Sequence, residues 1–147
     1  MKNISRTWIL ALTALASFMV ALDALVVATA LSTIRRDLGA TVEQLEWTVN
    51  SYTLSFAVLL LTGAALGDRF GRRRMFVAGL LVFIGASALC ALASSMEWLI
   101  AARALQGAGA ALVMPLAVTQ LSIAFPAAER GRALGIFSGI SGLAVLA

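Results

Sequence analysis

Residues 47–74 read WTVNSYTLSFAVLLLTGAALGDRFGRRR. The first twenty of these, Trp47 to Leu66, hold no charged side chain, and the next eight hold five. An apolar helix of that length crosses about 30 Å of hydrocarbon at roughly 1.5 Å per residue. A barrel strand would be about ten residues long and would alternate apolar with polar; this run does neither. The abrupt passage from an uncharged stretch to four arginines is how a span ends at the cytoplasmic headgroups.

The same reading extends in both directions. Trp8 to Ile34 is long enough to span and is interrupted only by Asp23. Met75 to Ala93 carries no charge, and Trp98 to Phe125 carries one, Arg103. A fifth apolar run, 133–147, is too short to span comfortably and is expected to be a helix cut within its length. The approximate spans are therefore 8–34, 47–66, 75–93, 98–125 and 133–147 within one partial helical bundle covering 1–147. Composition agrees: 61% of the 147 residues are hydrophobic and 12% charged, an excess that a small soluble domain could not hide. Lys2, Arg6 and the first apolar run could begin a signal peptide, but that run is too long and carries Asp23.

The short loops assign the orientation. Lys2, Arg6, Arg69, Arg72, Arg73, Arg74, Arg130 and Arg132 fall on one set of alternating sides. The other set holds only Arg35 and Arg36, against Asp37, Glu43, Glu46 and Glu97. The positive-inside rule makes the N-terminus cytoplasmic. Trp8, Trp47 and Trp98 sit at span ends, where amphipathic aromatics favour the headgroup region. The basic balance, eleven Lys or Arg against seven Asp or Glu, is thus topology rather than nucleic-acid binding. The sequence contains no His, its single cysteine, Cys90, lies in an apolar run, and no enzyme signature is present, so neither metal, cofactor nor enzymatic chemistry is expected.

Two charges lie within spans. Asp23 is eleven residues short of Ile34, or roughly 16 Å from the outer end of its helix, too deep for a short side chain to reach water. A charge at that depth costs at least about 2.5–3.5 kcal/mol and usually marks a pathway. The functional reading is a protonatable carboxylate; the bland one is a structural bond between helices. Arg103, roughly 8 Å from its end, is close enough to snorkel outward. With Gln106 three residues on, and then Gly107 and Ala110, it forms a polar and small-residue stripe consistent with a cavity wall.

The turn after the second span contains Gly67, Asp68, Arg69, Gly71 and Arg72. Topology needs only the arginines. The glycines allow a sharp turn, and Asp68 can bond backbone donors of the next helix or pair with a loop arginine, a breakable latch suited to a cytoplasmic gate. Gly131, Gly135 and Gly139 repeat every four residues, and with Gly107 and Gly109 are read as helix-packing positions. Pro115 frees a carbonyl that must find another partner.

These motifs resemble the major facilitator superfamily, specifically its 14-helix drug:proton antiporter branch. Residues 64–73, AALGDRFGRR, are similar to the loop between helices two and three; 103–110, RALQGAGA, resemble the fourth-helix motif; Leu22-Asp23 running into Ala30-Leu31 resembles the first-helix motif; and 47–54 are similar to the opening of helix two. Ser32 and Ala64 depart from the branch pattern, which has proline and glycine there. The resemblance implies an all-α membrane fold, with helices one to four and part of five of the N-terminal half. It implies Asp23, Arg103 and Gln106 in proton and substrate coupling, and Gly67, Asp68, Arg69, Gly71 and Arg72 in the gate. Such folds repeat three-helix units with inverted topology, which places Asp23 and Arg103 on the first helix of each unit.

The function so implied is proton-coupled export of small amphipathic or cationic compounds across a bacterial inner membrane. The partners are lipid, protons, a small-molecule substrate and further transporter helices. Two other classes remain: an inert truncation or structural membrane subunit, and an uptake symporter of the same fold.

Overall fold

A computed structural model describes residues 6–146, with side chains to residue 143. Lys2 and Ala147 lie outside the described residues. Five helices follow one another: α1 Arg6–Leu38, α2 Val42–Phe70, α3 Arg72–Ala91, α4 Met96–Ala124 and α5 Ala127–Leu146. There is no strand among the described residues. The first four helices are long and apolar enough to cross a membrane. Their exposed faces carry Leu12, Leu15, Leu54, Val58, Leu61, Leu81 and Ile123, a surface that only lipid solvates cheaply.

The helices run past the apolar stretches at their ends because charged residues do not stop a helix. α1 continues through Arg35 and Arg36, and the chain turns at Gly39 with φ +62°, a conformation that favours glycine. α2 opens with a reciprocal cap: Gln44 N–H donates to Thr41 Oγ1, and Thr41 N–H donates to the Gln44 side chain. α5 begins at Ala127 and includes Glu129, Arg130 and Arg132, because Pro126 supplies its carbonyl to the N–H groups of Glu129 and Arg130.

α4 is the central post. It packs most extensively on α2 and α3, while α1 packs on α5 and on α4. The close approach of α4 to α2 and α3 depends on glycine. An added Cβ at Gly63 would strike the Ala111 carbonyl, at Gly67 the Leu116 side chain, at Gly79 Leu112, at Gly107 the Tyr52 backbone, and at Gly109 the Phe83 backbone. The Ala111 carbonyl is the acceptor that Pro115 leaves without its helical donor, and Gly63 packs so close to it that an added Cβ would lie 2.5 Å from the oxygen. The small-residue face of α5 has no such role among the described residues: a Cβ at Gly131, Gly135 or Gly139 would meet nothing within 4 Å. α5 packs through Ala133 and Phe137 instead.

The two ends of the bundle differ as the loop charges do. At one end Arg6 on α1 lies 3.9 Å from Glu129 on α5. At the other, Ala40, Met96 and Leu99 form a small core with Ile34, Leu38, Leu45, Cys90 and Ala93, tying the α1–α2 and α3–α4 connections together.

Candidate functional site

The middle of the bundle is polar. Thr13, Ser17, Thr48, Ser51, Arg103 and Gln106 are all buried. Three side chains from two helices converge there. α1 contributes Asp23. α4 contributes Arg103 and Gln106, which lie on one helix face because they are three residues apart. Arg103 Nη1 donates to Asp23 Oδ2 at 2.6 Å and to Gln106 Oε1 at 2.7 Å. Gln106 Nε2 donates to Asp23 Oδ1 at 2.7 Å, so each carboxylate oxygen has a donor. The triangle is closed: the carboxylate accepts twice, and the amide donates to the acid while accepting from the base.

α2 completes the surroundings of the arginine. Arg103 Nε points to the Thr48 carbonyl at 3.4 Å, and its Cζ stands 4.3 Å from the centroid of the Tyr52 ring. Ser51 donates to the Ile100 carbonyl at 3.2 Å, pinning α2 to α4 one turn away. From α3, the Cys90 thiol donates weakly to Gln106 Oε1 at 3.5 Å.

Burial within the triangle is uneven. The Arg103 side chain is 3% exposed and that of Asp23 13% exposed. The residual exposure of Asp23 faces a cavity of about 380 Å³ between α1 and α3, lined also by Met19, Leu22, Val26, Phe83 and Ile84. The acid is therefore approachable and the base is not. Chemically, anything entering the cavity meets the carboxylate before the guanidinium, and the charge of Arg103 is balanced by Asp23 alone among the groups that it contacts.

Three sequence expectations change. Arg103 does not snorkel to the headgroups; a carboxylate on α1, an amide oxygen on its own helix and an aromatic face on α2 solvate it in place. Asp23 is not a lone acid. Gln106 and Gly107 do not line a cavity: Gln106 is fully buried within the triangle, and Gly107 is the contact point with α2. No role for Tyr52 or Thr48 is read from the sequence; Thr48, Ser51, Tyr52 and Ser55 do recur at helical spacing, but Asn50 and Thr53 beside them blur the face they mark.

The turn residues form a second cluster. Gly71 alone separates α2 from α3, with φ +99°. Across it, Arg72 donates from Nε and Nη2 to Asp68 Oδ1, at 2.9 and 2.6 Å. Arg69 lies over the Phe70 ring at 5.4 Å. Gly67 faces Leu116 rather than the turn. Asp68 and Arg72 are thus brought together, while Arg69 stands apart from the pair.

The sequence model of the Major Facilitator Superfamily matches residues 13–147. The chain is 48% identical over 141 residues to the cephamycin export protein CmcT of Amycolatopsis lactamdurans, covering 95% of this chain and 29% of that protein. It is 42% identical over 142 residues to the multidrug resistance protein Stp of Mycobacterium tuberculosis, covering 95% and 26%. It is 41% identical over 138 residues to the puromycin resistance protein of Streptomyces alboniger, covering 93% and 27%. The chain thus spans less than a third of the length of these relatives.

Proposed function

Because the chain belongs to the Major Facilitator Superfamily and buries an acid–base pair between two of its spans, we propose that it forms the proton-coupling part of an exporter of small amphipathic compounds. It is a multi-pass integral membrane protein of the bacterial plasma membrane. The relatives named for antibiotic export or resistance support export as the direction and antibiotic-like molecules as the substrate class.

The observation that carries the reading is the Asp23–Arg103 contact. Removing two charges from water costs several kcal/mol each, and their attraction offsets this only while both remain charged and well hydrogen-bonded. A proton arriving through the cavity neutralises Asp23 and removes the attraction that ties α1 to α4. The two helices are then free to take a second arrangement, and loss of the proton on the other side restores the first. A proton drives the change because it binds the two arrangements unequally. On this reading Asp23 is occupied by an internal cation, so the substrate need not itself be cationic. Asp68 and Arg72 act separately, as an exposed clasp at the cytoplasmic end of α2 and α3.

The test is Asp23→Asn in the full-length protein, which keeps the size and one carbonyl acceptor but cannot take up the proton. In inverted membrane vesicles energised by a proton gradient, accumulation of puromycin and ethidium by the variant is expected to fall to the level of vesicles lacking the protein, at equal abundance in the membrane. Accumulation at the wild-type rate would refute the coupling role. Failure of the wild-type protein to accumulate either compound would refute export of this class.

A further inference from the structure

Deepening the coupling role above, on which it rests, we propose that Tyr52 is the positioning residue of the coupling site, its ring face holding the Arg103 guanidinium in place while Asp23 carries a proton. In the charged pair Arg103 has one anionic partner. Once Asp23 is neutral, the acceptors left to Arg103 are the Asp23 carbonyl oxygen, the Gln106 oxygen at 2.7 Å and the more distant Thr48 carbonyl at 3.4 Å, and none carries a net charge. A buried cation in that position is expelled or drags its helix, unless something else stabilises positive charge. The π-face of tyrosine carries partial negative charge from its quadrupole, and the Cζ-to-centroid distance of 4.3 Å is well within the range in which a guanidinium is attracted. The attraction grows when water is excluded, as it is around Arg103.

The ring is also fixed. The Tyr52 backbone lies against Gly107, where α2 and α4 come so close that a side chain would not fit. The Tyr52 ring runs parallel to that of Phe56, with centroids 6.4 Å apart and planes 3° from one another. The arginine therefore stands between a removable anion on α1 and a permanent aromatic face on α2. That geometry lets the α1–α4 tie break while the α2–α4 unit keeps its shape.

The proposal separates the face of the ring from its bulk. In the full-length protein, position 52 is occupied in turn by Tyr, Leu, Phe and phenylalanines bearing one, two and three fluorines. Fluorination withdraws the negative face with little change of size. Proton-driven accumulation of puromycin and ethidium in inverted vesicles is measured for each, with Asp23→Asn alongside. Tyr52→Leu is expected to lose accumulation, Tyr52→Phe to restore it, and the fluorinated series to fall stepwise by about tenfold or more overall. Wild-type rates in Tyr52→Leu, or equal rates across the fluorinated series, would overturn the role of the ring face. If Asp23→Asn is inactive while the series is flat, the Tyr52 inference alone fails. If Asp23→Asn is active, the coupling role fails and takes this inference with it.

Discussion

Two aspartate–arginine pairs in this molecule have the same closest separation, 2.6 Å, and opposite surroundings. Asp23 and Arg103 join two helices that are eighty residues apart in the chain, and their side chains are 13% and 3% exposed. Asp68 and Arg72 sit four residues apart across one turn, 64% and 38% exposed. Equal separation therefore says little about energy. Exposed pairs contribute about 0–1 kcal/mol, because water already solvates both charges well. Breaking a buried pair by removing one partner costs about 3–5 kcal/mol, because the survivor is left charged without water. The buried pair consequently couples charge to helix packing strongly, as the proposed coupling role needs, and the exposed one can open and close at little cost.

The largest expected effect is on the buried side. Arg103→Met leaves Asp23 without its cation and should destabilise the protein by about 3–5 kcal/mol, read as a fall in the denaturant or thermal midpoint in detergent. Combining it with Asp23→Leu should recover most of that stability without recovering transport, since an apolar pair of similar volume tolerates burial. If the double variant is no more stable than the single one, the pair is not the coupled unit described.

Next in size is Gly107→Ala. One methyl group placed against the Tyr52 backbone must push α2 from α4, at a cost of about 1–3 kcal/mol for overpacking. It should also impair transport by moving the Tyr52 ring. Gly131→Ala, whose new methyl would meet nothing among the described residues, is the comparison and should cost less. Equal losses in the two would remove the distinction between the packed face of α4 and the open face of α5.

The smallest effect is on the exposed pair. Asp68→Asn should change stability by about 1 kcal/mol or less, with a difference from wild type that shrinks as salt is added. A loss as large as that of Arg103→Met would mean that the two pairs are not the different devices that their exposure implies.

Much of this was legible in the sequence. Uncharged runs of about twenty residues can only be accounted for by lipid, and the arginines of 69–74 orient them. The two in-span charges stood out individually for the same reason, since each departs from an apolar background. Their pairing was not legible, because contact between residues 23 and 103 depends on how α1 crosses α4, and no local pattern encodes that crossing. Depth counting also misled. Measured from Trp98, Arg103 lies close to the outer surface, yet it meets Asp23, because a count along one helix does not say how a neighbouring helix is offset, and the arginine side chain is long. The glycine face of α5 shows the converse. Spacing suggests close packing at 131, 135 and 139, and among the described residues nothing lies within 4 Å of a Cβ at these positions; spacing says which positions can approach a neighbour, not which neighbour.

α1 has 33 residues and so is about 50 Å long, in a hydrocarbon core of about 30 Å. Asp23 lies close to its midpoint. Its hydrogen bonds to the central post are therefore at the balance point of a seesaw, where they hold α1 against α4 while opposing tilt least. A rocking of about 10° there carries each tip about 4 Å, in opposite directions on the two membrane faces. A pivot at this point lets a tilt of α1 widen one mouth of the bundle and narrow the other with no helix bending, the kind of motion that the proposed coupling role requires.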